Sequence, residues 1–302
     1  MPTPFEFVPQ RVVSLVPSLT EALFGLNVGD RVVGITDYCT RPADKVKSLE
    51  RVRGTKNPKI ERILELAPDL VLMNSEENRL EDYKALQEAG IPIWVTGPRS
   101  VQSAINVLWD IMDIFEAPEM SARVREIERS FDYTENAMRA ERLVSVFVPI
   151  WKKPWMTISQ DTYMHDLLSI CGGHNIFAKE RWEFRVVEGA GLLEEEAPPL
   201  LNEEAHQADT TARYPEITLE EVESRQPEIV LLPSEPYPFK DSDPQEFFAL
   251  DIPAAHNGHI YAIDGALLSW HGTRLAYAFQ ELPPIFDRVR RAADSPANEA
   301  QE

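Results

Sequence analysis

The chain has 302 residues, a formal net charge of −20 and a pI near 4.8, and 43% of its residues are hydrophobic. This length is about twice that of a typical domain, so two domains are expected. The acidic charge argues against nucleic acid as a partner, because phosphate binding rewards clustered lysine and arginine, and the sequence has no apolar run of the roughly 20 residues that an embedded membrane helix needs.

The first hundred residues alternate short apolar runs with helical patterns, which is typical of a parallel sheet covered by helices. Strands are predicted at residues 11–15, 31–36, 69–73 and 91–96. After the first strand, Ser18 and Glu21 have the spacing of a capping box, so Ser18 is the predicted N-cap of a helix. An α/β lobe over residues 1–98 is therefore expected.

Residues 99–142 contain little that would interrupt a helix apart from Pro118. Their apolar residues recur at helical spacing, so we predict one long connecting helix, or two nearly continuous helices broken near Pro118. Alternating strand and helix patterns then resume, and a second α/β lobe is expected over residues 143–294. Inside it, residues 183–212 form an acidic insertion that is either a surface loop or a lid. The tail 295–302 is expected to be disordered.

An internal repeat links the two halves. Residues 60–72 align without a gap on residues 219–231, and glutamate, proline, valine and leucine coincide. Each copy consists of a short helix, a proline that ends it, an acidic residue and a buried strand. Such units recur in many α/β proteins, but these two lie on either side of the connecting segment. We therefore interpret them as two copies of one supersecondary unit.

The two cysteines, Cys39 and Cys171, are far apart and belong to no CxxC pair, so two free thiols are favoured over one bridge. The first residues have neither a basic region followed by an apolar segment nor a lipoprotein cysteine. A cytoplasmic location is therefore expected, with a periplasmic or extracellular one as the alternative if the amino terminus is truncated. No resident cofactor or metal is predicted.

Four segments, taken in order, resemble the helical-backbone class of ABC-transporter substrate-binding proteins; they are residues 11–21, 31–36, 60–72 and 171–177. The likeness is greatest to the cobalamin-binding members, with the iron-siderophore and haem binders as relatives. It implies two Rossmann-like α/β lobes joined by a long helix, a ligand cleft between the lobes, and a binding protein rather than an enzyme. It also implies that Glu61 and Glu220 dock onto arginines of an ABC permease.

The sequence departs from this family at three points, the first of which is the extra segment 183–212. Cys171 matches a cysteine that forms a disulfide with the last helix in the cobalamin binders, but here that helix has no cysteine, so the matching disulfide is absent. The tryptophans that contact cobalamin in the family have no clear counterparts. The ligand therefore stays open between a corrinoid and another metal chelate.

In open α/β sheets, ligands bind beyond the carboxyl ends of the strands. Loops at these positions and beside helix starts provide the candidate ligand-binding residues, which are Pro17, Ser18, Tyr38, Cys39, Asn74, Glu77, Asn78, Trp155, Trp182, Trp270, His271 and Arg274. The flat rings of Trp155 and Trp270 suit a corrin or porphyrin, although packing between loops is an alternative role.

Three other interpretations remain at this stage. Cys39 and His271 are candidate ligands for a chelated metal, but a histidine hydrogen-bonded within its loop is the simpler interpretation. A cytoplasmic enzyme on the same scaffold would use Cys39, Glu77 and His271. A regulatory interaction protein that has lost its ligand would dock through Glu61, Glu220 or the acidic insertion.

Overall fold

Two parallel sheets, one in each half of the chain, form the frame of this computed structural model, which describes residues 5, 7–178, 210–240 and 242–293. The first sheet contains β1 (Val12–Ser14), β2 (Val32–Ile35), β3 (Glu50–Arg51), β6 (Leu70–Asn74) and β7 (Ile93–Thr96). These strands lie in the order β3-β2-β1-β6-β7 and their pairings are parallel. A small antiparallel hairpin precedes β6, formed by β4 (Arg53–Gly54) and β5 (Asn57–Pro58).

The helices of this first lobe are α1 (Pro17–Gly25), α2 (Ala43–Val46), α3 (Ile60–Glu65) and α4 (Leu80–Glu88). The predicted N-cap of α1 is wrong, because Val16 is the N-cap and Ser18 lies inside the helix. Pro17 explains the shift, because its fixed φ suits the first turn of a helix. An N–H at this position would have no partner, so proline loses no hydrogen bond there. The Ser18 and Glu21 side chains therefore do not form the capping box, and they contact His271 and Arg274 instead.

The connecting segment forms two helices, α5 (Val101–Ile114) and α6 (Ser121–Met138). The chain folds back between them, since the Trp109 indole donates to the Glu128 carboxylate at 2.7 Å. In one straight helix these residues would lie about 28 Å apart. Of the two alternatives, two helices broken near Pro118 is therefore the one observed, although the helices are not nearly continuous. Pro118 has no N–H to donate back into α5, and Glu116 just before it has a left-handed φ of 49°.

The second sheet contains β8 (Val144–Phe147), β11 (Gly173–Asn175), β13 (Ile229–Pro233) and β14 (Ile260–Ile263), all parallel, in the order β11-β8-β13-β14. Beside it a short antiparallel sheet is formed by β9 (Pro149–Trp151), β10 (Trp155–Thr157) and β12 (Glu216–Ile217). The helices of this lobe are α7 (Tyr163–Ile170), α8 (Leu219–Arg225), α9 (Pro244–Phe248), α10 (Pro253–His256), α11 (Ala266–Ser269) and α12 (Leu275–Ala293). Trp182, most of the predicted acidic insertion and the tail 295–302 lie outside the described residues.

The two sheets share one strand order. Strands β2, β1, β6 and β7 correspond in position to β11, β8, β13 and β14. In the aligned repeat, Ile63 and Val222 are both fully buried. Ala67 and Gln226, the residues that follow the helix ends, have left-handed φ angles of 45° and 49°. Each repeat therefore turns from helix to central strand in the same way, as the sequence comparison predicted.

The largest hydrophobic core runs through both lobes. It combines one face of each sheet with side chains from α1, α5, α6, α7 and α12. Smaller clusters cover the opposite faces, because successive strand residues point to opposite sides. Helices rather than strands therefore join the lobes. Among the described residues, no helix combines the length and the apolar character that crossing a bilayer requires.

Candidate functional site

The carboxyl ends of the central strands meet at the boundary between the lobes, which we call the interlobe cleft. On the amino-terminal side, the loop after β6 is shaped by two asparagines. The Asn74 side-chain Oδ1 accepts the backbone N–H groups of Glu76 at 2.8 Å and Glu77 at 3.3 Å. The Asn78 side chain accepts from the Asn74 backbone at 2.8 Å and donates to two backbone carbonyls. Both amides thus hold the loop that presents the two glutamates.

His271 connects the lobes at the floor of this cleft. It is buried, and its Nε2 lies 3.2 Å from the Ser18 hydroxyl and 3.4 Å from the Asn74 amide nitrogen. Because the Asn74 oxygen is already used by the loop, its nitrogen donates to Nε2, and the neutral ring therefore carries its proton on Nδ1. Nδ1 has no hydrogen-bond partner among the described residues. Burial lowers the pKa of His271 to about 4, so the ring is neutral at pH 7.

Cys39 lies behind the cleft surface rather than on it. Its thiol is fully buried and lies 3.1 Å from the hydroxyls of both Thr20 and Thr36. Burial raises the pKa of the Cys39 thiol, although the two threonine contacts lower it. The neighbouring Tyr38 is 62% exposed. The described residues contain no group of three or more His, Cys, Asp or Glu side chains suited to a metal ion. Cys39 and His271 thus have separate surroundings.

Ion pairs cross the cleft at three places among the described residues. Arg41, after β2, donates to Asp264, after β14, at 2.8 Å. The Arg274 Nε donates to the Glu21 carboxylate at 2.9 Å. This predicted ligand-binding residue is therefore bonded to a side chain of α1.

In the third pair, Arg213 bonds the Glu76 carboxylate, and the Tyr214 hydroxyl donates to the same group at 2.6 Å. Arg213 belongs to the second lobe, because its backbone carbonyl accepts from Ser159 N–H. These contacts clamp the two lobes directly onto each other.

Glu76 and Glu235 occupy equivalent positions, since the gap-free repeat extends to Ser75-Glu76 and Ser234-Glu235. Each follows the central strand of its sheet and faces the cleft. Glu235 accepts from the Ser269 hydroxyl at 2.7 Å. The loop after β6, with Glu76 and Glu77, was expected at the cleft, but Glu235 was not singled out because the repeat was compared only to the end of the buried strand. Extending the comparison by a few residues would have found Glu235.

Glu77 is the most perturbed carboxyl group of the cleft. Its side chain is only partly exposed and accepts no hydrogen bond from the described residues. Burial, followed by repulsion from Glu235, raises its pKa to about 7, while the Lys56 ammonium opposes the shift. Burial raises the pKa of Glu235 as well. Glu77 therefore holds its proton to a higher pH than an exposed glutamate does.

The predicted aromatic contacts are packed against protein groups. Trp270 is 6% exposed, and the guanidinium groups of Arg41 and Arg274 lie 5.7 Å and 5.9 Å from its ring centre. Trp155 stacks on Phe239 with 6.1 Å between ring centroids. Packing between loops is therefore the role that this conformation shows for both tryptophans.

A more accessible aromatic surface lies beside Trp155, and the sequence analysis did not single it out. Trp151, at the end of β9, is 43% exposed. Its ring contacts Tyr237 edge-on, with 5.5 Å between centroids. Tyr237 follows β13, so these two rings stand at the cleft end of the second lobe.

Glu61 and Glu220, the predicted docking residues, are each the second residue of a short helix, α3 or α8. Both are exposed. Hydrogen bonds from its own backbone N–H and from Thr218 lower the pKa of Glu220. The structure therefore displays one carboxylate at the same helical position in each lobe.

Comparison with known proteins identifies the class. The chain is 24% identical over 283 residues to the vitamin B12-binding protein of Vibrio campbellii. The alignment covers 93% of this chain and 91% of that relative. The periplasmic vitamin B12 binding protein BtuF of Vibrio cholerae superposes with a TM-score of 0.71 at 21% identity, covering 93% of this chain and 98% of that one. The periplasmic haem-binding protein BhuT, solved with two haems, gives 0.70 at 20% identity, with 94% and 99% covered.

The solved structures confirm the two-lobed α/β fold. The expected role, a binding protein rather than an enzyme, is confirmed by the family match. The family model described as "Periplasmic binding protein" matches residues 12–267, most of the chain. This chain therefore belongs to the periplasmic binding protein family.

Proposed function

We propose that this protein binds a corrinoid, or another metal chelate, in the interlobe cleft and delivers it to an ABC transporter. The observation that carries the proposal is the meeting of two equivalent sheets, whose carboxyl ends face one cleft in a chain of the periplasmic binding protein family. Parallel α/β sheets place their ligand sites at these ends. The relatives named for vitamin B12 and haem supply the chemical class.

The surface of the cleft is suited to a large ligand with both flat and polar parts. Trp151 and Tyr237 offer ring surface on one side. Glu76 and Glu77 offer hydrogen-bonding groups from the first lobe, and Glu235 offers one beside Tyr237 on the second lobe. Large ligands need apolar area for affinity and a few fixed polar groups for orientation. We therefore expect Trp151→Ala to weaken binding by about tenfold.

Ligand binding would act by stabilising the closed arrangement of the lobes. The cleft ion pairs, such as Arg41 with Asp264, are contacts that opening of the lobes would break. A ligand shifts such an equilibrium only by its differential affinity for the two forms. The folded-back α5 and α6 share one core with both lobes, so we expect a small hinge motion rather than a wide one.

We infer that Glu61 and Glu220 dock the loaded protein onto its permease. Their equal helical positions and exposure support two matching contacts, one on each lobe. Arginine forks bind such carboxylates in a bidentate manner. We also propose a working location outside the cytoplasmic membrane, since the family is periplasmic; this replaces the cytoplasmic location expected from the sequence.

The direct side-chain bridges across the cleft favour a second candidate function. A chain whose lobes hold together through Glu76, Arg213 and Tyr214 would suit an interaction protein that has no small ligand. Such a protein would dock onto its partner through the exposed Glu61 and Glu220 and would bind no small ligand. The two candidates differ in whether any chelate binds.

The test is a titration of the purified full chain with cyanocobalamin, haemin and a ferric siderophore, followed by absorbance and tryptophan fluorescence. We expect saturable one-to-one binding of one of them with a Kd below about 100 μM, equivalent to about −5.5 kcal/mol. Glu88→Ala, an exposed change on α4, serves as the control and should leave the Kd unaltered. Failure of all three ligands to bind would remove the chelate proposal and leave the interaction protein.

A further inference from the structure

Arg213 and Tyr214, which we call the latch, reach from the second lobe to the end of the central strand of the first lobe. Arg213 Nη1 bonds Oε1 of Glu76, and the Tyr214 hydroxyl donates to Oε2 of the same carboxylate at 2.6 Å. Both oxygens of Glu76 are therefore engaged by the second lobe. The Arg213 guanidinium also lies over the Tyr214 ring, 5.4 Å from its centre, so the two side chains form one unit.

The latch is buried, and its backbone is fixed to the second lobe. Arg213 is 2% exposed, and its carbonyl accepts from Ser159 N–H at 2.8 Å. Two residues beyond the latch, β12 pairs with β10. Burial raises the pKa of Tyr214, so the hydroxyl stays protonated and can donate at neutral pH. The side chains of the latch are thus the parts that cross between the lobes.

The internal repeat shows that the two equivalent strand ends differ in access. Each central strand is followed by the dipeptide Ser-Glu, Ser75-Glu76 in the first lobe and Ser234-Glu235 in the second. Ser75 is only 5% exposed, whereas Ser234 is exposed. The end that is closed to solvent is the one whose glutamate is bonded by the latch.

We propose that the latch is an autoinhibitory gate, which a ligand must displace from Glu76 in order to enter the interlobe cleft. This inference rests on the proposed function, in which Glu76 is one of the polar groups offered to the ligand. Such a ligand has to compete with Arg213 and Tyr214 for the same carboxylate. Only molecules with an open gate can bind, so the latch slows association and weakens the apparent affinity.

A gate is distinguished from an ordinary closing contact by the sign of its effect. A contact that is kept in the loaded protein stabilises the bound form, and its removal weakens binding. The latch contact is lost when the ligand enters, so its removal should speed association and strengthen binding.

The first test measures access to the strand ends without any ligand. Ser75→Cys places a thiol beside Glu76, and Ser234→Cys places one at the equivalent position of the second lobe as the matched control. Cys39 and Cys171 are fully buried, and protein without either substitution gives their background rate with Ellman's reagent.

The thiol rates are then compared with and without the latch. In the double variant Arg213→Gln with Tyr214→Phe, the thiol introduced at position 75 should react about tenfold faster, while the thiol at position 234 should keep its rate. Arg125→Gln, which removes an exposed arginine of α6, is the charge control and should change neither rate. Tyr214→Phe alone removes one hydrogen bond and should give an increase of about threefold at position 75. This milder variant decides the question if thermal melts show that the double variant is unfolded.

The second test measures entry of the ligand itself. Stopped-flow absorbance follows the association of cyanocobalamin or haemin, whichever binds in the titration. Its association rate should rise about tenfold in the double variant, with a nearly unchanged dissociation rate.

An unchanged rate at position 75 in folded latch variants, or slower association of the ligand, would overturn the inference while leaving chelate binding intact. Absence of binding by cyanocobalamin, haemin and the ferric siderophore would defeat the proposed function instead. The thiol rates would still decide whether the latch controls access to the cleft, because they require no ligand.

Discussion

Asp69 and Glu228 perform the same task in the two lobes. The Asp69 carboxylate accepts the backbone N–H groups of Gln10 and Arg11 at 2.8 and 2.9 Å, just before β1. The Glu228 carboxylate accepts the backbone N–H of Ser145 at 2.9 Å, at the second residue of β8. In each lobe an acidic residue ahead of the central strand thus fixes the start of its parallel neighbour.

Removing either carboxylate should destabilise the protein. We expect Asp69→Ala and Glu228→Ala each to lower the free energy of unfolding by about 1 to 3 kcal/mol, because backbone donors lose a charged acceptor. Urea denaturation followed by circular dichroism measures the change. Glu88→Ala, which removes an exposed glutamate, should shift the midpoint far less. Equal effects of all three changes would show that these hydrogen bonds contribute little.

The ion pairs across the cleft should differ in strength according to their burial. The Arg41 and Asp264 side chains are 36% and 37% exposed, so Asp264→Ala should cost less than about 1 kcal/mol. Arg274 and Glu21 are 9% and 14% exposed, and Glu21→Ala should cost about 3 to 5 kcal/mol because it leaves a buried guanidinium without its partner.

A double-mutant cycle on Glu21 and Arg274 separates the interaction from the burial penalty. The double alanine variant should be less destabilised than the sum of the single variants, with a coupling of about 1 to 3 kcal/mol. Denaturation curves for the four proteins provide the values. Additive effects would contradict a direct interaction between these two side chains.

The periodicity of the sequence predicted the apolar strands of both sheets, because buried parallel strands such as β6 and β13 are apolar on both faces. The edge strands β3 and β11 contain no apolar run and were not predicted. The helical pattern of residues 99–142 was equally clear, but periodicity carries no information on direction, and the reversal between α5 and α6 depends on tertiary packing. The position of the site at the carboxyl ends of the strands was also predictable. Pairings across the cleft were not, since Arg213 and Glu76 are 137 residues apart.

His271 should make the protein less stable in acid. Its pKa falls from 6.5 to about 4 on folding, so between these values the unfolded chain binds a proton that the folded protein does not. Stability is therefore lost as the pH falls from 6.5 towards 4, by at most about 3 kcal/mol. Glu77 has the opposite effect on stability. Its raised pKa lets the folded protein take up a proton that the unfolded chain does not bind, so stability rises as the pH falls from about 7 towards 4.5.

Comparison of the parent with His271→Gln isolates the histidine contribution, since Glu77 is present in both proteins. Urea denaturation at pH 7 and at pH 4.5 should show a smaller loss of stability on acidification in the variant. The same loss in both proteins would mean that His271 accepts a proton without unfolding.

Both thiols should be protected from reagents in the folded protein. Cys39 and Cys171 are free and fully buried, and burial raises the pKa of each thiol. Since the thiolate is the reactive form, Ellman's reagent at pH 8 should react on the order of a hundredfold more slowly than in urea. Absorbance at completion in urea should report both thiols. Rapid reaction of the native protein would contradict the burial of at least one of them.

The proposed docking glutamates should affect transport without affecting ligand binding. Glu61→Ala and Glu220→Ala should each weaken association with the permease in proteoliposomes by about tenfold, and the double variant by about a hundredfold, because the two contacts lie on separate lobes. Their affinity for the ligand should stay at the parent value, since both side chains are exposed on short helices. Stimulation of ATP hydrolysis by the loaded protein measures docking, with Glu88→Ala as the control. If only one of the two substitutions had an effect, the permease would contact a single lobe, and the matching positions in the repeat would reflect the duplicated fold alone.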